Sequence, residues 1–223
     1  MIKVVAFDLD DTLISEFEYI KSGYRAVSKE ISLKYEIPED EIYEKLIKLF
    51  SEDTKNVFNR LLGEYKIDYE KEDILHLVKT YREHIPEINF FDDVIPTVKM
   101  LKGKGIKLAI ITDGYTITQS NKLTVLEAKE YFDEIIVTDM LGKELWKPHP
   151  KAFEIIKEKF NVGWDEICYV GDNPEKDFHI KKHYPVKTVR ILRENSVYRD
   201  SLYREDIRED IRIDKLTDLD KVV

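Results

Sequence analysis

The chain has 223 residues, with 36 Lys and Arg against 45 Asp and Glu, a formal net charge of −9 and a hydrophobic fraction of 43%. That length can bury a sizeable core, as one large domain or a domain with an insert, and the composition excludes bulk disorder. The acidic balance argues against nucleic acid as a partner. No apolar run approaches the ~20 residues a bilayer crossing needs, so no membrane association is expected. Cys168 is the only cysteine, which forbids an internal disulfide and fits a reducing cytoplasm. The high charged fraction, 36%, and the single glutamine, Gln119, suit a heat-loving source and an AT-rich genome equally well.

The first predicted element is a strand from Ile2 to Phe7, nearly continuous apolar as a doubly covered parallel strand is. It runs straight into Asp8-Leu9-Asp10-Asp11-Thr12, so it reads as a strand and not as a signal peptide. From about Glu16 to Phe90 the apolar residues recur at three- and four-residue spacing, as in Phe17, Ile20, Tyr24, Val27 and Ile31, and then in Ile74, Leu77, Val78 and Tyr81. Pro38-Glu39-Asp40 and Tyr69-Glu70-Lys71-Glu72 look like acidic helix starts. This block predicts an all-helical insert.

After Phe90 the pattern alternates. Val94–Leu101 reads as a helix stopped by Gly103 and Gly105. Lys107–Ile111 is a strand ending in Thr112-Asp113-Gly114, and a polar helix follows through Gln119 and Lys122. Ile135–Val137, Ile167–Val170 and Val186–Ile191 are strands, and Ala152–Phe160 is a helix introduced by Pro148 and Pro150. The segment from Arg193 to Arg212, dense in Arg, Asp and Glu, reads as a solvated loop or surface helix. The expected fold is therefore α/β: an open, mostly parallel, Rossmann-like core made of residues 1–15 and 91–223, carrying a helical cap at 16–90.

Open α/β sheets bind ligands outside the carboxyl ends of their strands. Here that edge collects Asp8 and Asp10 after the first strand, Thr112 after the second, and Asp172 after the fourth, with Asp177 five residues on. Lys147 precedes Pro148 in the loop leading to the next helix. Converging carboxylates call for a hard cation, Mg²⁺. A phosphoryl group beside it would be held by the lysine, the threonine hydroxyl and free amides at Asp113-Gly114. A carboxylate can attack phosphorus, and a second one nearby can serve as acid and base.

This set resembles the haloacid dehalogenase superfamily. Asp8-Leu9-Asp10-Asp11-Thr12 is similar to its first motif, Thr112 to its second, Lys147 to its third, and Gly171-Asp172 through Asp177 to its acidic fourth. Gln119, Lys122-Leu123, Tyr131-Phe132-Asp133 and Lys147-Pro148-His149-Pro150 extend the likeness to members with a helical cap after the first motif. The resemblance implies Asp8 as nucleophile, Asp10 as general acid and base, and Mg²⁺ on the Asp8 carboxylate, the Asp10 backbone carbonyl and Asp172. It places Asp177 behind these ligands, holding a metal-bound water or Lys147. It implies that Lys147 offsets charge and that Thr112 donates to the phosphoryl group. An acid at Asp10 favours phosphate chemistry over carbon–halogen cleavage.

The expected activity is a Mg²⁺-dependent phosphomonoesterase acting on a small soluble metabolite through an aspartyl-phosphate, with a sugar or triose phosphate and a nucleoside monophosphate as leading substrates. A phosphomutase of the same superfamily and a non-turnover phospho-acceptor or binding protein are the alternatives, and a homo-oligomer is left open. One departure stands out: Phe178-His179-Ile180-Lys181-Lys182-His183 replaces the small residues usual after the fourth motif, in a helix expected to end at Tyr184-Pro185. His149, His179 and His183 read as solvent-facing histidines, and Cys168 as buried and inert.

Overall fold

The computed structural model describes residues 1–194 and 196–223. The chain divides into two compact units, Met1–Glu16 with Ile88–Val223, and Phe17–Glu87.

The first unit is built on a six-stranded parallel sheet: β1 (Val4–Phe7), β2 (Lys107–Thr112), β3 (Glu134–Val137), β4 (Ile167–Gly171), β5 (Lys187–Ile191) and β6 (Ile211–Ile213). The strand order is β3-β2-β1-β4-β5-β6. Every residue of β1 and β4 is buried, which is why both read as unbroken apolar runs rather than as alternating ones. The core of this unit includes Val4, Ala6, Ala109, Ile111, Phe153, Ile156 and Tyr169.

The second unit is wholly helical: α1 (Glu16–Tyr35, its first residue in the sheet unit), α2 (Glu39–Glu52), α3 (Val57–Glu64) and α4 (Lys71–Glu83). Its core gathers the periodic residues of each helix, among them Tyr24, Val27, Ile31, Ile42, Leu46, Leu61 and Leu77. Gly23 lets α1 and α4 approach closely, since a Cβ there would lie 2.5 Å from the Tyr81 ring. The start of α4 is fixed reciprocally: the Glu70 backbone N–H donates to the Asp73 carboxylate at 3.0 Å, and the Asp73 N–H donates to the Glu70 backbone carbonyl at 3.2 Å.

The remaining helices belong to the sheet unit: α5 (Val94–Gly103), α6 (Thr116–Val125), α7 (Ala128–Tyr131) and α8 (Lys151–Phe160). Three local expectations are corrected. β6 lies at the edge of the segment expected to be loop or surface helix, and it pairs Ile211 with Val189 and Ile213 with Ile191. Three residues with Arg212 in the middle are too short a pattern to stand out among so many charges. The helix expected up to Tyr184-Pro185 is only a short 3₁₀ turn, His179–Lys182. His179 in this turn is buried while His183, just past it, is exposed, because a three-residue turn does not keep positions four apart on one face.

Candidate active site

The parallel register sets the site. Phe7 at the end of β1 is level with Ile110 of β2 and Val170 of β4. The next residue, Asp8, donates its backbone N–H to the Val170 carbonyl at 2.8 Å, and Asp172 directly follows β4. Between β1 and β4 the strand order reverses direction, so both acids stand at the topological switch point, where loops diverge and leave a crevice.

Lys147 forms the electrostatic centre. Its ammonium donates to Asp8 Oδ1 at 2.7 Å, to Asp177 Oδ1 at 2.9 Å and to the Tyr169 hydroxyl at 2.7 Å. All four side chains are buried. Burial opposes the charge on Lys147, but Asp177 and Asp8 overcome it and hold the ammonium well above its usual range. Burial pushes the Asp8 carboxyl up to about 6; Lys147 pulls against that rise and Asp177 adds to it. Asp172 is raised well above the ordinary carboxylate range, first by burial and then by Asp177 and Asp8, although the Ser196 hydroxyl donates to it at 2.6 Å.

Asp8, Asp172 and Asp177 offer carboxylate oxygens that all lie within 4.8 Å of one another. One buried ammonium does not neutralise three buried acids, and the upward displacement of Asp8 and Asp172 expresses the excess negative charge. An all-oxygen, acid-rich donor set suits a hard divalent cation such as Mg²⁺.

The end of β2 is arranged around Asp113. Its Oδ1 accepts from the Lys147 backbone N–H at 3.0 Å and the Thr138 hydroxyl at 2.7 Å, and its Oδ2 accepts from the Lys176 ammonium at 2.8 Å. Burial would raise this carboxyl, but Lys147 and Lys176 hold it below its ordinary value. Asp113 thus ties the ends of β2 and β3 to the loops carrying Lys147 and Lys176. Gly114 follows at φ +129°, a conformation that favours glycine. Gln119 Nε2 lies 2.7 Å from the Thr112 hydroxyl, 2.7 Å from the Asp113 carbonyl and 2.9 Å from Asp10 Oδ2, while Lys122 donates to Asp10 Oδ1 at 2.6 Å.

A model of the haloacid dehalogenase-like hydrolase family matches residues 5–191. The chain belongs to that family. It is 31% identical to a glyceraldehyde 3-phosphate phosphatase of Methanopyrus kandleri, over all of this chain and 97% of the relative. It is 32% identical to another protein of that name from Methanocaldococcus jannaschii, with the same coverage. Among solved structures, a HAD phosphatase from Thermococcus onnurineus superposes with a TM-score of 0.62 at 27% identity, covering 99% of this chain and 97% of the other. A haloacid dehalogenase-superfamily hydrolase from Geobacter sulfurreducens, at 19% identity and TM-score 0.69, shares the fold.

Within this haloacid dehalogenase-like hydrolase the structure brings Asp8, Lys147, Asp172 and Asp177 into one buried group. It sets Asp10, Thr112 and Asp113 around Gln119. His149 is exposed in its loop, and burial lifts the Cys168 thiol to about 12. Three participants were not singled out as site residues from sequence. Tyr169 sits in an apolar strand and reads there as core. Lys176 lies in a polar run, Asn173-Pro174-Glu175-Lys176, that gives no hint of its direction. Glu16 has the look of an ordinary acid in the first turn of α1.

Proposed function

We propose that the chain is a Mg²⁺-dependent phosphomonoesterase that hydrolyses a small phosphorylated metabolite through an aspartyl-phosphate on Asp8. The observation that carries this reading is the buried Lys147 ammonium 2.7 Å from Asp8 Oδ1, beside two more carboxylates at the switch point of the sheet. The pairing keeps a deeply buried acid available as an anion, and so as a nucleophile toward phosphorus. Mg²⁺ would be held by the Asp8 carboxylate, the Asp10 backbone carbonyl and Asp172, with Asp177 fixing Lys147. Bound there, it would offset charge on the acids and on the phosphoryl oxygens.

The protein's own groups divide the remaining work. Asp8 attacks phosphorus, and Asp10 gives a proton to the departing oxygen. Asp10 then takes a proton from the water that hydrolyses the aspartyl-phosphate. Lys147 balances the charge, and the Thr112 hydroxyl with the Asp113-Gly114 amides binds phosphoryl oxygens. The helical unit serves as the cap that admits small esters and excludes bulk water. The names of the relatives support a triose phosphate as the first substrate to test. Among the described residues no helix is long and apolar enough to cross a membrane.

The deciding experiment is phosphate release from a panel of sugar phosphates, triose phosphates and nucleoside monophosphates, with and without Mg²⁺. Stoichiometric inorganic phosphate in Mg²⁺ and none in excess chelator is expected. Return of the phosphoryl group to a sugar would identify a mutase instead, and release unaffected by chelator would remove the metal from the reaction.

A further inference from the structure

Beside Asp8 the sheet unit has a solvent-open cavity of about 130 Å³ whose wall includes Glu16, Trp146, Lys176 and Tyr198 as well as Asp10 and Asp172. Each cation at this edge is engaged: Lys147 with Asp8 and Asp177, Lys176 with Asp113, and Lys122 with Asp10. Glu16 differs. Its backbone N–H donates to Asp11 Oδ1 at 2.9 Å, but its carboxyl has no hydrogen bond or ion pair among the described residues. Glu16 is half-buried in the cavity wall. Burial, then the charge of Asp10, lifts it to about 7, with Lys122 and Lys176 acting in the opposite direction. A carboxyl in a cavity wall with no protein partner is open to a hydrogen bond from a bound ligand.

We propose that Glu16 is a specificity-determining residue that hydrogen-bonds a hydroxyl on the carbon chain of the substrate, so that the site selects hydroxylated short-chain phosphate esters over alkyl and carboxylate-bearing ones. The inference rests on the phosphatase reading above and adds the substrate class to it. The phosphoryl group belongs at Asp8, Thr112 and Lys147, and Glu16 lines the same cavity, where the leaving group's chain would meet it. A hydroxyl can donate to a carboxylate or accept from a carboxylic acid, so it is served in either protonation state. A substrate carboxylate would meet Glu16, Asp10 and Asp172 and be repelled. An ammonium would meet Lys176 in the same wall. A site built to bond a hydroxyl rejects the analogue lacking it, because its own polar group is then left buried and unpaired.

The test compares glycerol 3-phosphate with propyl phosphate, which keeps the chain and lacks the hydroxyls. 2-Phosphoglycolate and phosphoethanolamine are the anionic and cationic controls. Wild-type protein with Mg²⁺ should prefer glycerol 3-phosphate over propyl phosphate by about 10- to 100-fold in kcat/KM, the worth of one hydrogen bond to a charged group. Glu16→Ala should collapse that preference to within about threefold by losing rate on the hydroxylated ester, whereas Glu16→Gln should retain part of it. Equal losses on both esters, or a Glu16-dependent preference for the amine, would overturn the assignment. A second readout needs no turnover: calorimetric binding of the same esters to Asp8→Asn, with and without Glu16→Ala. If wild-type protein releases phosphate from no ester, the phosphatase reading fails. The binding discrimination still decides the role of Glu16, and its absence from Asp8→Asn would overturn that role independently.

Discussion

Lys147 places its ammonium 2.7 Å from Asp8 and 2.9 Å from Asp177, with both partners and the lysine itself buried. The triad is asymmetric: one positive charge serves two direct acidic partners and a third acid, Asp172, close by. Removing the cation therefore harms the fold more than removing an anion. Lys147→Met should lower stability by about 3–5 kcal/mol, the usual cost of breaking a buried pair from one side. That corresponds to a melting temperature roughly 10 °C lower for a chain of this size. Asp8→Asn should raise the melting temperature of the metal-free protein while reducing turnover by at least ~10³, about 4 kcal/mol of barrier. In the double variant part of the Lys147→Met loss should be recovered. Thermal melts of the three variants check this, and a drop for Asp8→Asn as large as that for Lys147→Met would contradict it.

The parts of this arrangement that were legible in the sequence are those where backbone position alone decides. Asp8 and Asp172 follow unbroken apolar strands, and parallel pairing brings such strand ends to one edge whatever the side chains do. Lys147 and Asp177 could be recognised only through motif spacing, since a lysine beside prolines and an acid in a polar turn look ordinary alone. Asp113 shows the limit. Its backbone was expected at the phosphoryl group, but nothing in Thr112-Asp113-Gly114 says that its carboxylate joins Lys147, Thr138 and Lys176. Those partners are distant in sequence and meet only in the folded chain. The same holds for His179, read as exposed and found buried, and for β6, whose partner strand supplies the order that its own three residues do not signal.

The crowding of acids also predicts a pH response in metal-free protein. The native Asp8 carboxyl sits near 6 against 3.8 in the unfolded chain, so between these values the native state binds more protons. Its contribution to stability is fully present below about pH 3.8, falls as pH rises toward 6 and stays lost above that. Glu16, raised from 4.5 to about 7, acts with the same sign. Stability should fall by about 1 kcal/mol per pH unit for each such proton between pH 5 and 6. Millimolar Mg²⁺ at pH 7.5 should reverse the loss, because it binds the ionised acids of the native state alone. Asp172→Asn should weaken that Mg²⁺ effect and make the metal-free protein more stable at pH 7.5. Melting curves at pH 5 and 7.5, with EDTA or Mg²⁺, provide the check. A metal-free protein more stable at pH 7.5 than at pH 5 would contradict the assignment.

Gly171 offers a test that removes no charged group. A Cβ at this position would lie 2.4 Å from Asp177 Oδ2. Asp177 cannot simply retreat, because Oδ2 accepts from the Asn173 N–H at 3.0 Å and Oδ1 holds Lys147. Gly171→Ala should therefore displace the carboxylate and cost about 1–3 kcal/mol, as overpacking does. It should also raise the Mg²⁺ concentration needed for half-maximal activity by about tenfold, the scale of loss when a group supporting metal ligands is disturbed. Unchanged Mg²⁺ dependence in a folded Gly171→Ala protein would show that Asp177 has no part in ordering the cation site.

The last prediction concerns Asp10, which is gripped at both oxygens: Lys122 at 2.6 Å on Oδ1 and Gln119 at 2.9 Å on Oδ2. If Asp10 protonates the leaving oxygen, the need for it depends on the ester. An alkyl phosphate has a poor leaving group and requires the proton, whereas a nitrophenyl phosphate departs readily as an anion. Asp10→Asn should slow aspartyl-phosphate formation by about 10²–10⁴ with a triose phosphate and far less with the nitrophenyl ester. With the activated ester, hydrolysis of the intermediate should then limit turnover, since the base that activates water is gone. Phosphorylated Asp8 should accumulate and be trapped by acid quenching. Lys122→Met should show the same ranking of esters at a smaller scale, because it loosens Asp10 without removing it. Equal losses on both esters in both variants, with no trapped intermediate, would mean that Lys122 and Gln119 hold Asp10 only to order the first-motif loop.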